Sequence, residues 1–310
     1  MYYLLNKNTN SYFNLALEEY LFLNEKYNDD IIIIWRNEES IFMGKNQNPY
    51  QEIHHDVIEK GEIPILRRIS GGGTVYHDLG NINMSFIQKN RNLHEIDFLE
   101  HTKFMQSMLL SLGLNVSITE RKDLFLNGKK ISGSAQSIKR QNSLYHGTLL
   151  YDSDLNKLTK YLNSNKSTES KATKSVSSKV TNINFILKKD INYFLDYCVD
   201  YLKSNIKNIK EIKLDDDDIK SVYNLVEDKY KKLEWIYNKT PKFQVILPID
   251  NKSKINVHIN KWKISKCFIS CEDSIVNLDK LIEIDFNKQE IKNNILENYP
   301  DYIDLINLIF

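Results

Sequence analysis

Cysteine is scarce in this sequence and poorly placed for chemistry. Cys198, Cys267 and Cys271 all fall late in the chain, without CxxC spacing. They offer no disulfide framework, so reduced core residues are expected. A zinc site from Cys267, Cys271 and His258 lacks a fourth ligand. Surplus charge is missing too. Lys and Arg number 42 against 41 Asp and Glu, a net charge of +1, which argues against a general nucleic-acid binder because neutralising a phosphate backbone takes a basic surplus or stripe. No apolar run approaches membrane-spanning length, and the N-terminus has no basic stretch leading into an apolar one and a cleavage site. A cytoplasmic protein acting on neither membrane nor nucleic acid is expected. The familiar nucleotide signatures are also absent: there is no Gly-Lys-Ser/Thr phosphate loop and no GxGxxG opening a helix.

What is present centres on residues 65–86, ILRRISGGGTVYHDLGNINMSF. A β-branched strand carrying Arg67 and Arg68 runs into Gly71, Gly72 and Gly73, then Thr74, Val75 and Tyr76, a turn, and a second strand. Consecutive glycines suggest backbone that must approach something closely, and bare amides beside guanidinium groups would cradle an anion. The alternative is a flexible loop with solvated arginines. His77 and Asp78 fall in the following turn, where hydrogen bonding is expected rather than metal ligation.

At 310 residues the chain has room for a large domain and a small one. Periodicity predicts a helix over 11–25 and a buried strand over 31–35 paired across a polar turn with a strand over 40–45. A helix over 49–60 is expected to end at Gly61, with His54 and His55 on its surface. A core helix is expected over 97–112. Asn127-Gly128 between β-rich runs is a type I′ hairpin signal. Its register pairs Leu126 with Lys129, Phe125 with Lys130 and Asp123 with Ser132, leaving Asp123 diagonal to Lys130 at roughly 7 Å. A strand over 144–151 follows, so Lys130 and His146 are expected on neighbouring strands. After a helix over 155–162, residues 163–181 are rich in Ser, Lys and Thr. They read as a linker or as a loop whose Lys166, Lys171, Lys174 and Lys179 fold over an anionic ligand. Helices are expected over 191–203 and from Asp215–Asp218 to Trp235, the aspartates favouring the N-terminal dipole. Past Pro241, three short strands and helices from Leu278 and near 288–296 form a small α+β module.

Together, RRISGGGTVYHDLGNINMSF, DLFLNGKKISGSAQ and YHGTLL resemble the lipoate-protein ligases. The resemblance extends from SYFNLALEEYL to KATKSVSSKVTNI and WIYNKTPKF. It implies an α+β catalytic domain of the biotin/lipoate-ligase fold, akin to class II synthetase domains, over 1–243, and a small accessory domain over 244–310. It further implies that lipoate is joined to AMP from ATP with Mg²⁺ and then passed to a lysine of a lipoyl-acceptor domain, either a 2-oxoacid dehydrogenase E2 subunit or a glycine-cleavage H protein. Lys130 matches the family's central lysine, whose ammonium would bridge the lipoate carboxylate and the α-phosphate. Arg68, Ser70, Gly71, Gly72, Gly73, Thr74, Val75, Tyr76 and Asn83 match the nucleotide-contacting region. Asp123 would hold Mg²⁺ or orient Lys130, His146 and Thr148 would line the lipoyl pocket, and Lys179 belongs to a loop that orders over the adenylate. Two departures stand out, Lys122 where asparagine is frequent and Ser177 where arginine is common. A transferase working through a cysteine thioester is the nearest rival and finds no cysteine near either motif. Biotin ligase would carry a different glycine loop, and a non-catalytic lipoate or adenylate sensor would not need Lys130.

Overall fold

The computed structural model describes residues 1–162, 168–176 and 178–310. Lys166 and Ser177 thus lie outside the described residues. Ile31–Arg36 is an almost unbroken apolar run because both of its faces are covered. It lies between Tyr2–Leu5, to which it is parallel, and Asn81–Gln88, to which it is antiparallel. Asn142–Leu150 and then Ser134–Lys139 extend this six-stranded sheet on one side, and Lys210–Glu211 ends it on the other. Successive side chains leave a strand in opposite directions. Ile32 and Ile34 therefore join a core with the helices Phe98–Leu110 and Ile191–Asn205, while Ile31, Ile33 and Trp35 join one with Ser11–Leu23 and Asp216–Leu225.

Several sequence expectations need correction. The strand Ser40–Met43 does not pair with Ile31–Arg36; it is the centre of a separate three-stranded sheet with Ile65–Arg67 and Val75–His77. Asn37, where a solvent-facing turn was expected, is fully buried and bonded to Asn14 and His77, so the chain turns a corner between sheets there. The helix over 49–60 is two, Pro49–Glu52 and His55–Lys60, because Ile53 and His54 are extended and His54 N–H bonds Tyr161 O. Gly61 ends the second helix in the left-handed region, as expected. His55 is not a surface histidine: its ring lies 4.3 Å from that of Phe310, and burial pushes its pKa down to about 4. Only a short 3-10 turn, Asp279–Leu281, follows Leu278, after a strand Ile275–Asn277 that periodicity did not show.

Past Pro241 the expected module is present. Phe243–Pro248, Ser253–Asn260 and Lys263–Cys271 form antiparallel neighbours over a core that includes the helices Lys288–Asn298 and Leu305–Ile309. Its sheet gains an outer strand from earlier in the chain, Thr168–Ser170, paired with Phe243–Pro248. Tyr50 is also part of that core, its hydroxyl bonded to Ile309 O. Among the described residues no helix is long and apolar enough to cross a membrane.

Candidate active site

The glycine loop joins Ile65–Arg67 to Val75–His77 and packs hard on the end of Ser40–Met43. A Cβ on Gly44 would lie 2.2 Å from Gly72 O, backbone against backbone, and Gly72 itself has φ +84°. The two arginines are neither solvated nor paired as an open cradle. Arg67 is fully buried and turned away, giving hydrogens to Ile236 O (2.7 Å), Gln47 O (2.8 Å) and Thr240 Oγ1 (2.9 Å). Arg68 spans the loop instead, donating to Gly71 O (2.7 Å), Gly73 O (2.6 Å) and Phe42 O (2.9 Å). Burial draws each guanidinium down to about 10, still charged at neutral pH. Arg68 thus puts a fixed positive charge under the loop while shaping it.

Behind Arg68 runs a buried polar chain. Arg68 Nε donates to Ser70 Oγ (3.0 Å), which meets His146 Nε2 (2.8 Å), and His146 Nδ1 meets Glu18 Oε1 (2.9 Å). Glu18 also accepts from Ser85 Oγ (2.5 Å), which accepts from Trp35 Nε1 (2.8 Å). The two ring nitrogens of His146 thus tie Ser70 to Glu18. The connectivity resembles a nucleophilic triad, but Ser70 is fully buried and already accepts from a guanidinium, so the chain orients groups rather than attacking anything. His77 is held similarly. Asn14 donates to Asn37 Oδ1 (2.9 Å), which turns the Asn37 amide nitrogen toward His77 Nδ1 (2.9 Å). The hydrogen-bonding role expected of His77 is therefore what is found, and burial pushes its pKa down to about 3.

The Asn127-Gly128 hairpin forms as expected, both residues at positive φ. Leu126 faces Lys129 and Phe125 faces Lys130, but a bulge after Leu124 sets Leu124, not Asp123, opposite Ser132. Asp123 falls outside the strand, and its carboxylate reaches Lys130 Nζ at 2.9 Å. The expected diagonal pair is thus a direct ion pair. Lys129 is exposed. The hairpin strand Lys129–Ser132 belongs to its own three-stranded sheet, so Lys130 and His146 are not on hydrogen-bonded neighbours. Gly133 links the two sheets: its N–H donates to Thr148 Oγ1 (3.2 Å) and its carbonyl accepts from Thr148 N–H (3.0 Å).

Two cavities, about 670 and 400 Å³, meet at this point. Lys130, Gly133, Thr148, Thr74 and Val75 line both. The larger one also takes Arg68, Gly72, Gly73, Asn83, Asp123 and His146, with Leu15, Trp35 and Phe42 as apolar walls. Tyr76 lines the smaller, whose other walls include Leu150, Leu158 and Val180. Ser70, Gly71 and Lys179 line neither; Lys179 takes part through its carbonyl, which accepts from Lys130 N–H (2.9 Å). Sequence reasoning missed Glu18, Glu52 and Asn81. Asn81 is fully buried in the wall of the smaller cavity, gives its amide hydrogen to Asn83 Oδ1 (3.1 Å), and has an Oδ1 with no partner among the described residues. The acids Glu18 and Glu19 on the apolar stripe of a helix were the available signal for a buried polar site.

Residues 10–203 match the family model of the lipoyl protein ligase A/B catalytic domain. The chain belongs to the lipoate-protein ligase family. It is 33% identical to the lipoate-protein ligase LplJ of Bacillus subtilis, over 87% of this chain and 84% of that one. Among solved structures it resembles P. falciparum LipL1 in complex with lipoate (TM-score 0.61, 25% identity, 98% of this chain and 97% of that one). A lipoate-protein ligase A bound with ATP matches at TM-score 0.63 and 23% identity, covering 76% of this chain and 97% of the other, which shows a shared fold. The biotin/lipoate-ligase fold expected for the α+β catalytic part is thus found. Among the described residues no group of three or more His, Cys, Asp and Glu could hold a metal ion.

Proposed function

We propose that the ligase reaction proceeds in two steps at the junction of the two cavities, lipoate occupying the larger and ATP the smaller. The observation that carries this is Lys130 in the shared wall, flanked by Gly133 and Thr148. A carboxylate oxygen of lipoate attacks the α-phosphorus of ATP; the new O–P bond forms as the bond to pyrophosphate breaks. Both partners are anionic, so fixed positive charge and backbone donors matter more than a base. The Lys130 ammonium supplies that charge between the two oxygens, and Arg68 adds a second fixed charge beneath the loop. In the second step the amine of an acceptor lysine attacks the acyl carbonyl and AMP leaves. The acceptor is a lipoyl-acceptor domain, of a 2-oxoacid dehydrogenase E2 subunit or a glycine-cleavage H protein. Residues 1–243 form the catalytic unit and 244–310 the accessory one.

The donor set suits Mg²⁺ brought in on nucleotide phosphates, because that ion keeps several waters and needs one or two protein carboxylates. Asp123 would hold it, and the ion would neutralise phosphate charge. A cysteine-thioester transferase has less support. Cys198 is sealed in the core beside the helix Phe98–Leu110, where burial raises its thiol pKa, and Cys267 is buried in the C-terminal module.

Measured pyrophosphate release tests the assignment of Lys130. Lys130→Ala is expected to abolish it and Lys130→Arg to leave little, since a planar fork cannot replace a compact ammonium. Lys129→Ala should keep most of it, and equal rates in the two alanine variants would remove Lys130 from the mechanism. Mass spectrometry of acceptor domains incubated with protein, ATP, Mg²⁺ and lipoate should show the gain of one lipoyl group.

A further inference from the structure

Among the described residues, one buried side-chain nitrogen in the wall of the larger cavity has no partner, Nε2 of His77. His77 lines that cavity beside Trp35 and Phe42, and none of the three lines the smaller one. Its ring stacks on Phe42, with centroids 4.4 Å apart, and meets Trp35 edge-on at 6.4 Å. Only 3% of the residue is exposed. His146 in the same wall differs, because both of its ring nitrogens are engaged.

The hydrogen on His77 can be placed from the backbone outward. Asn14 Nδ2 lies 2.9 Å from both Asn8 O and Arg36 O, and carbonyls only accept, so that atom is the amide nitrogen. It also donates to Asn37 (2.9 Å), which must present its oxygen there and its nitrogen to His77 Nδ1 at 2.9 Å. Nδ1 therefore accepts, burial keeps the ring neutral, and the remaining hydrogen sits on Nε2. A buried donor without an acceptor is costly to keep.

We propose that His77 is a specificity residue for the acyl substrate, its Nε2–H donating to a sulfur of the lipoate dithiolane ring. This rests on the assignment of the larger cavity to lipoate, with the carboxylate at Lys130 where the two cavities meet. The ring end of the acid then falls among residues that line the larger cavity alone. A cyclic disulfide carries lone pairs on sulfur, a weak acceptor. Octanoate, the saturated acid of equal chain length, offers the donor nothing and leaves it buried and unpaired. A site built around a donor rejects the analogue that lacks the acceptor, whereas apolar walls such as Trp35 and Phe42 take either acid. Selectivity therefore hangs on this one hydrogen.

Two measurements on the full chain test this. Pyrophosphate release with lipoate and with octanoate gives the ratio of kcat/KM for the two acids. His77→Phe keeps a ring to stack on Phe42 and removes the donor, so the ratio is expected to fall about two- to fivefold, the lower part of the range for one hydrogen bond. A purely structural role would lower both rates by the same factor, and an unchanged ratio would overturn the proposal. NMR of the unaltered protein, with histidine labelled at the ring nitrogens, does not depend on how well that variant folds. His77 should carry its hydrogen on Nε2, and that hydrogen should shift downfield with lipoate and not with octanoate. A hydrogen on Nδ1, or the same response to both acids, would equally overturn it. If the folded, unaltered protein releases pyrophosphate with neither acid, the lipoate assignment beneath the proposal fails instead.

Discussion

Among the described residues Lys130 has one ion-pair partner, Asp123 at 2.9 Å, and that pair lies partly exposed at the cavity wall. Arg67 and Arg68 are the opposite case, their hydrogens committed to backbone carbonyls deep in the protein. Buried histidines add a pH dependence at this scale. His101 is stacked on Phe86 (4.8 Å) near Tyr145 (5.3 Å), and burial pushes its pKa down to about 4. In the unfolded chain it would titrate near 6.5, so its contribution to stability is complete above that pH and is lost as the pH falls toward 4. His101→Phe should therefore lose less stability between pH 7 and pH 5 than the unaltered protein, by on the order of 2 kcal/mol in denaturant titrations. An equal loss in both proteins would mean that His101 takes up its proton as readily in the folded protein as in the unfolded chain. Adjacent arginines were legible in the sequence, but their division of labour was not: one carbonyl-bound guanidinium faces the cavity and the other is a brace, and only tertiary contacts distinguish them.

At the scale of elements, the Asn127-Gly128 turn fixed its hairpin because positive φ at two consecutive residues leaves few options. The register failed beyond Phe125, where a bulge inserts a residue that no local rule announces. The corner at Asn37 was misread for a related reason, since a polar residue reads as a surface turn until a buried partner claims it. The glycines divide in the same way. Gly71 has open space around its missing Cβ and no positive φ, whereas Gly44, outside the triplet, has a carbonyl 2.2 Å from where a Cβ would go. Gly71→Ala should leave pyrophosphate release nearly unchanged, while Gly44→Ala should push the loop off Ser40–Met43, lower stability by about 1–3 kcal/mol and cut the rate sharply. Similar rates in the two variants would show that the loop does not depend on this contact.

Across the whole molecule, the C-terminal module shares its core with Tyr50 and its sheet with Thr168–Ser170, both contributed by the chain preceding Phe243. The change to short strands past Pro241 was readable in the sequence; these borrowed pieces were not, because strand pairing across some seventy residues leaves no periodic mark. Lys288 and Glu59 add an ion pair at 3.4 Å across the same contact. Tyr50→Phe removes the hydroxyl that bonds Ile309 O and should cost about 1 kcal/mol, measurable as a lower denaturation midpoint with unchanged slope. No shift would mean that the hydroxyl bond adds nothing beyond ring packing.

The distribution of thiols has a practical consequence. Cys198 and Cys267 are buried, and burial pushes the Cys267 thiol up to about 12, so neither presents a thiolate to reagents in the folded protein. Cys271 is only partly covered and sits at the end of Lys263–Cys271, which lies between Ser253–Asn260 and Ile275–Asn277 in the module's sheet. The unaltered chain therefore comes with a single addressable position, to which a fluorophore or spin label can be attached without engineering, on the C-terminal module and away from the glycine loop.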